Sequence, residues 1–201
     1  GLGGVEWSLW QSVAHHWRSG LAFLFITTMG ALETQADTLI LSGYRGETEV
    51  GWYGAATRIA YGLLMFSQAY RFAVYPLMTR YAQQSPKKLS QLYEDSIRYL
   101  GTFILPVVAG IALLAPELVQ LVFGPEFVVG ASALRVLILT PCFLFLNEPN
   151  VRMMLVQDRQ RLVSLFLVGS VTTNLTLNLV LVPTLGALGA ATARAASSLL
   201  F

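Results

Sequence analysis

Two carboxylates, Glu33 and Asp37, interrupt the apolar run FITTMGALETQADTLILSG, and their spacing of one helical turn puts them on one face. Two further apolar stretches each carry an arginine, Arg58 and Arg194, and a fourth carries Asn174 and Asn178, again one turn apart. At a rise of about 1.5 Å per residue, Glu33 lies about 14 Å from the end of its stretch, and Arg58 and Arg194 about 12 Å from the same-side ends of theirs. Asn174 falls at the same depth, and Asp37 a little nearer the surface. Four helices therefore carry ionisable or amide groups to one level. An ionised group facing lipid there costs at least about 2.5 kcal/mol on insertion scales, so these side chains must face a water-filled cavity or one another. In the first case Arg58, Arg194, Asn174 and Asn178 form an anion-accepting, hydrogen-bonding surface. In the second, Glu33 or Asp37 pairs with Arg58 and merely fixes helix register, an arrangement in which desolvation can exceed the Coulomb gain. Arginines in excess of what the carboxylates need favour the cavity.

A second polar knot is NEPN, Asn147 to Asn150. Pro149 removes a backbone hydrogen bond, and the carbonyl it frees must be satisfied within protein or water. Glu148 is either a protonatable group at this break, a cap for it, or an ion-pair partner of Arg152 one turn on. Arg71 and Arg135, near the ends of their stretches, are expected to snorkel to the surface. Pro76, Pro106 and Pro141 predict kinks in three helices.

The elements that carry these groups follow from composition. The chain has 201 residues, 55% hydrophobic and 12% charged, with a mean hydropathy of +0.59. A soluble domain is roughly a quarter charged, so this is a bilayer protein. Six stretches approach the roughly 20 apolar residues a span requires: about 20 to 42, 50 to 79, 97 to 114, 133 to 156, 162 to 182, and 186 onward. The expectation is an all-α, polytopic bundle of six transmembrane helices over 20–201, the last one truncated, preceded by a juxtamembrane segment, 1–19. Between the second and third stretches, Ser85 and Pro86 read as an N-cap and first helical position, with a surface helix or solvated linker over about 84 to 96. With the N-terminus inside, Arg18, Arg80, Lys87, Lys88, Arg98, Arg159 and Arg161 flank cytoplasmic ends, and the outer loops hold Arg45 alone. Trp52 and Tyr53 suit the outer aromatic belt.

GWYGAATR (51–58) and GALGAATAR (186–194) share G-x-x-G-A-A-T, small-residue spacing that lets helix backbones approach closely. Hydrolase, P-loop and dinucleotide motifs are absent, so no enzyme and no cofactor is expected. Adjacent His15 and His16 point about 100° apart and would not readily share a metal, and Cys142 is the single cysteine, so no metal site is expected either. A net charge of +2, scattered along the chain, excludes nucleic acid as a partner.

The segments ADTLILSGYRGETEVGWYGAATRI, YPLMTRYA, LVFGPEF and NLTLNLVLVPTLGALGAATA, in this order and spacing, resemble the bacterial polysaccharide and O-antigen flippases of the multidrug/oligosaccharidyl-lipid/polysaccharide exporter superfamily. The likeness covers nearly the whole chain and matches the second six-helix half of such a transporter. It implies a multi-pass protein of the bacterial cytoplasmic membrane that moves a lipid-linked oligosaccharide, a polyprenyl pyrophosphate glycan, between leaflets for polysaccharide or lipopolysaccharide synthesis. It further implies membrane lipid and a coupling ion, proton or sodium, as partners, with a polysaccharide polymerase beside them. Glu33, Asp37 and Glu148 are then the ion-coupling candidates. The competitors are a multidrug cation antiporter, which the arginines disfavour; a membrane enzyme of polysaccharide assembly, which would need a large outer loop; and a scaffold, in which the buried charges could be neutralised without loss of function.

Overall fold

The computed structural model describes residues 35–200. Asp37–Phe201 forms one compact unit. The segment 1–19, most of the first expected span and Glu33 lie outside the described residues. Every described element is helical: α1 (35–45), α2 (Glu47–Gly62), α3 (Leu64–Gln84), α4 (Pro86–Leu113), α5 (Ala115–Phe123), a 3₁₀ segment (Pro125–Gly130), α6 (Ala131–Leu137), α7 (Leu139–Val156), α8 (Gln160–Leu185) and α9 (Ala187–Ser198).

The helix boundaries have local causes. Ser85 is extended and its hydroxyl accepts the Lys88 N–H, while Pro86 opens α4 at a position whose N–H has no helical partner. From there α4 runs unbroken, so 84–96 begins the same helix that carries the third apolar stretch. Pro76, Pro106, Pro149 and Pro183 lie inside helices. Pro141 differs from expectation: it stands in the first turn of α7, just after the interruption at Ile138, where its missing N–H breaks no helical bond.

Among the described residues, Pro86–Leu113, Pro125–Val156 and Gln160–Leu185 are long and apolar enough to cross a membrane. The other helices fall short of that measure. At 12 residues α9 reaches only about 18 Å, and α3 carries Gln68, Arg71, Thr79 and Arg80. Large apolar side chains such as Phe72, Leu113 and Leu121 are exposed, as hydrocarbon requires and water would penalise. The protein is a multi-pass helical membrane protein.

The core centres on α9, nine of whose twelve residues are buried. They are nearly all Ala, Ser or Gly, which permits backbone-level packing. A side chain on Gly189 would collide with the Leu181 carbonyl of α8. Around this axis pack Leu41, Tyr53, Leu134, Leu137, Phe145 and Val182. A hydrogen bond from Tyr93 on α4 to Asn150 on α7 places the turn at Ser85 and the turn at 157–159 at one end of the bundle. At the other end α1–α2 meets the α8–α9 turn.

Candidate functional site

Asp37 is the hub of a buried polar cluster. Its Oδ2 accepts from Arg194 Nε at 2.6 Å and from the Tyr53 hydroxyl at 2.8 Å, and its Oδ1 accepts from Asn178 Nδ2 at 2.8 Å. Asn178 Nδ2 also donates to the Asn174 carbonyl at 2.9 Å. Arg194 and Asp37 are exposed by only 8% and 2%, so the pair is shielded from water on all sides. Such a pair persists because the Asp37 carboxylate accepts from three donors, and loss of its charged partner would cost several kcal/mol (about 3–5). Asn174 Nδ2 and Asn178 Oδ1 are buried and have no hydrogen-bond partner among the described residues, which leaves one donor and one acceptor beside the ion pair for a further polar group.

Asp37, Asn174, Asn178 and Arg194 therefore come together from α1, α8 and α9. Glu33 lies outside the described residues. Arg58 does not join them: it is exposed, and no side chain among the described residues pairs with it. Helix phase is the reason. Tyr53, Ala56 and Ala60 form the buried face of α2, and Arg58, two residues past Ala56, is turned about 200° away from it. In the repeated motif the arginine directly follows Thr57 but stands two residues after Thr192. That single-residue offset rotates it by about 100°, and α9 is enclosed on all sides where α2 is not. The ion pair expected between Asp37 and Arg58 is thus replaced by one between Asp37 and Arg194. Tyr53 also departs from expectation. It is buried and hydrogen-bonded to Asp37 rather than placed in an aromatic belt, and only its helical register with Ala56 and Ala60 could have signalled that.

Glu148 anchors a second cluster. Its Oε1 accepts from Arg152 Nε at 2.7 Å and from Arg71 Nε at 3.1 Å, and the Arg152 guanidinium stacks over the Tyr75 ring, 5.5 Å from its centre. Of the alternatives for Glu148, the pairing with Arg152 is the one realised. Arg71 is the correction: it does not merely snorkel but binds a carboxylate on another helix. Both Nε atoms converge on one oxygen, so two guanidinium groups share a single carboxylate. Arg71 is 44% exposed, so this cluster opens outward where the first is sealed.

A third arrangement holds the helices in place. Arg45 donates to the carbonyls of Pro183 and Thr184 at 2.9 and 2.7 Å, covering the C-terminal end of α8. Glu49 accepts the Ala187 N–H at 3.0 Å, capping α9. Between them Gly186 has φ +58, and a side chain there would strike the Glu49 carboxylate. Arg135 serves similarly, donating to the Ala112 carbonyl near the end of α4 at 3.2 Å, a use that snorkelling alone did not anticipate. Among the described residues no cluster of three or more His, Cys, Asp or Glu side chains could hold a metal.

Residues 6–131 match the sequence profile of the family described as polysaccharide biosynthesis protein. The chain is also 26% identical, over 162 residues, to the probable low-salt glycan biosynthesis flippase Agl15 of Haloferax volcanii. That alignment covers 80% of this chain and 34% of the relative, so the chain spans about a third of the length of the curated relative it matches. No solved structure matches the chain at a significant level.

Proposed function

The chain belongs to the polysaccharide biosynthesis protein family, and from that premise we propose that it works in a flippase carrying a lipid-linked oligosaccharide across the cytoplasmic membrane. The substrate is a polyprenyl pyrophosphate glycan, no covalent bond is made or broken, and a proton or sodium gradient drives the movement. The bundle supplies six spans, with the basic end at Ser85 and Asp158 facing the cytoplasm.

One observation carries this reading: the Arg194 guanidinium, in the interior of an apolar bundle, is held 2.6 Å from Asp37. Carboxylate and pyrophosphate oxygens offer a guanidinium the same paired acceptors, so the two compete for it. Protonation of Asp37, or a sodium ion on it, weakens its hold and frees Arg194 for the pyrophosphate. Loss of the ion restores the pair and expels the substrate. Glu33, four residues before Asp37 in the sequence, is a second coupling group, and Glu148 a third, with Arg71 and Arg152 as further anion partners. Arg58, turned away from this cluster on the open face of α2, is a separate anion contact on the substrate's path. The spare amide capacity of Asn174 and Asn178 takes sugar hydroxyls.

Reconstituted full-length transporter tests this with a labelled polyprenyl pyrophosphate oligosaccharide in proteoliposomes. Arg58→Ala, at an exposed site, leaves insertion and folding intact and abolishes translocation. Asp37→Asn removes the response to an ionophore. Wild-type translocation by Arg58→Ala together with an unchanged ionophore response in Asp37→Asn would sink the proposal.

A further inference from the structure

At the Ser85 end of the bundle a cavity of about 370 Å³ opens between α4, α7, α8 and the two residues that follow α9, Leu199 and Leu200, and neither carboxylate cluster contributes to its lining. One wall is polar. The Tyr93 hydroxyl donates to Asn150 Oδ1 at 2.5 Å, and Asn150 Nδ2 donates to Asn147 Oδ1 at 2.9 Å. Because the chain of bonds runs from donor to acceptor, it terminates in the Asn147 amide NH₂, which has no partner among the described residues. Arg159 adds a guanidinium that forms no ion pair among the described residues. The remaining wall includes Met154 and Phe166 and is apolar. The cavity is therefore donor-rich and cationic on one side and greasy on the other. Tyr93 lies about 10 Å along α4 from its first residue, the depth at which a lipid head group gives way to its acyl chains.

We propose that this cavity holds the phosphate head of an anionic membrane phospholipid. A phosphodiester carries only acceptors and one negative charge, which matches an amide NH₂ and a guanidinium with nothing else to bind. The methionine and phenylalanine wall accommodates the first carbons of the acyl chains. The volume falls at the small end of ligand sites, enough for a head group and too small for an oligosaccharide. The site is distinct from the proposed transport route and makes the inner leaflet's lipid a structural component of the α4–α7–α8 corner.

The test is native mass spectrometry of the full-length protein released from nanodiscs of equal phosphatidylglycerol and phosphatidylcholine. Phosphatidylglycerol is expected to be retained preferentially. Arg159→Gln is expected to lower that retention about fivefold or more, the loss of one charge-assisted contact. Arg161→Gln, two residues on and outside the cavity, is expected to leave it unchanged. Added phosphatidylglycerol should raise the melting temperature of wild type and not of Arg159→Gln. Equal retention of both lipids, equal effects of the two arginine variants, or displacement by millimolar inorganic phosphate would each overturn the assignment, the last by showing a free-anion site.

Discussion

The Asp37 and Glu148 clusters are built from the same residue types and differ in enclosure and in charge ratio. At Asp37 one described arginine meets one carboxylate, and Tyr53 and Asn178 complete its hydrogen bonding inside a sealed interior. At Glu148 two arginines share a single carboxylate oxygen, and one of them is nearly half exposed. A sealed and balanced pair resists rearrangement and registers helices until its charge state changes. An open pair with surplus cation is ready to accept an anion without any such change. Enclosure thus decides whether an arginine–carboxylate contact acts as a joint or as a receptive surface.

The contrast can be broken most directly at Arg194. Arg194→Ala strands the Asp37 carboxylate and should cost about 3–5 kcal/mol, read as thermal unfolding in detergent. The double variant with Asp37→Ala should lose much less than the sum of the two single changes. Strict additivity would show the pair to be energetically uncoupled. Tyr53→Phe removes one of several donors to Asp37 and should cost about 1 kcal/mol, measured in the same way. Arg71→Ala should cost less than about 1 kcal/mol because solvent screens an exposed contact, while binding of pyrophosphate to the folded protein weakens. A destabilisation by Arg71→Ala as large as that by Arg194→Ala would erase the distinction.

The helical, membrane-embedded character of the chain was legible in its composition, and so were two local polar pairs: Asn174 with Asn178 follows from a one-turn spacing, and Glu148 with Arg152 from another. Partners on different helices were not legible. Arg58 and Arg194 sit at the same nominal depth, yet depth carries no azimuth, and the one-residue offset after the shared motif sends them to opposite environments. Arg71 stands near the end of its apolar stretch, where snorkelling alone suffices to explain an arginine. Its partner Glu148 lies 77 residues away in sequence. Tyr53 was hidden because a tyrosine near a helix start is equally suited to an interfacial belt and to a buried hydrogen bond.

The bonds from Arg45 to the end of α8 join residues 138 and 139 positions apart. A ribosome therefore delivers the loop that holds this guanidinium long before it delivers the carbonyls that receive it. Through most of synthesis the α1–α2 corner must wait, hydrated and uncommitted, while intervening hairpins enter the bilayer. Only the arrival of the α8–α9 turn closes this contact, so a change within that turn leaves the α1–α2 corner unfastened.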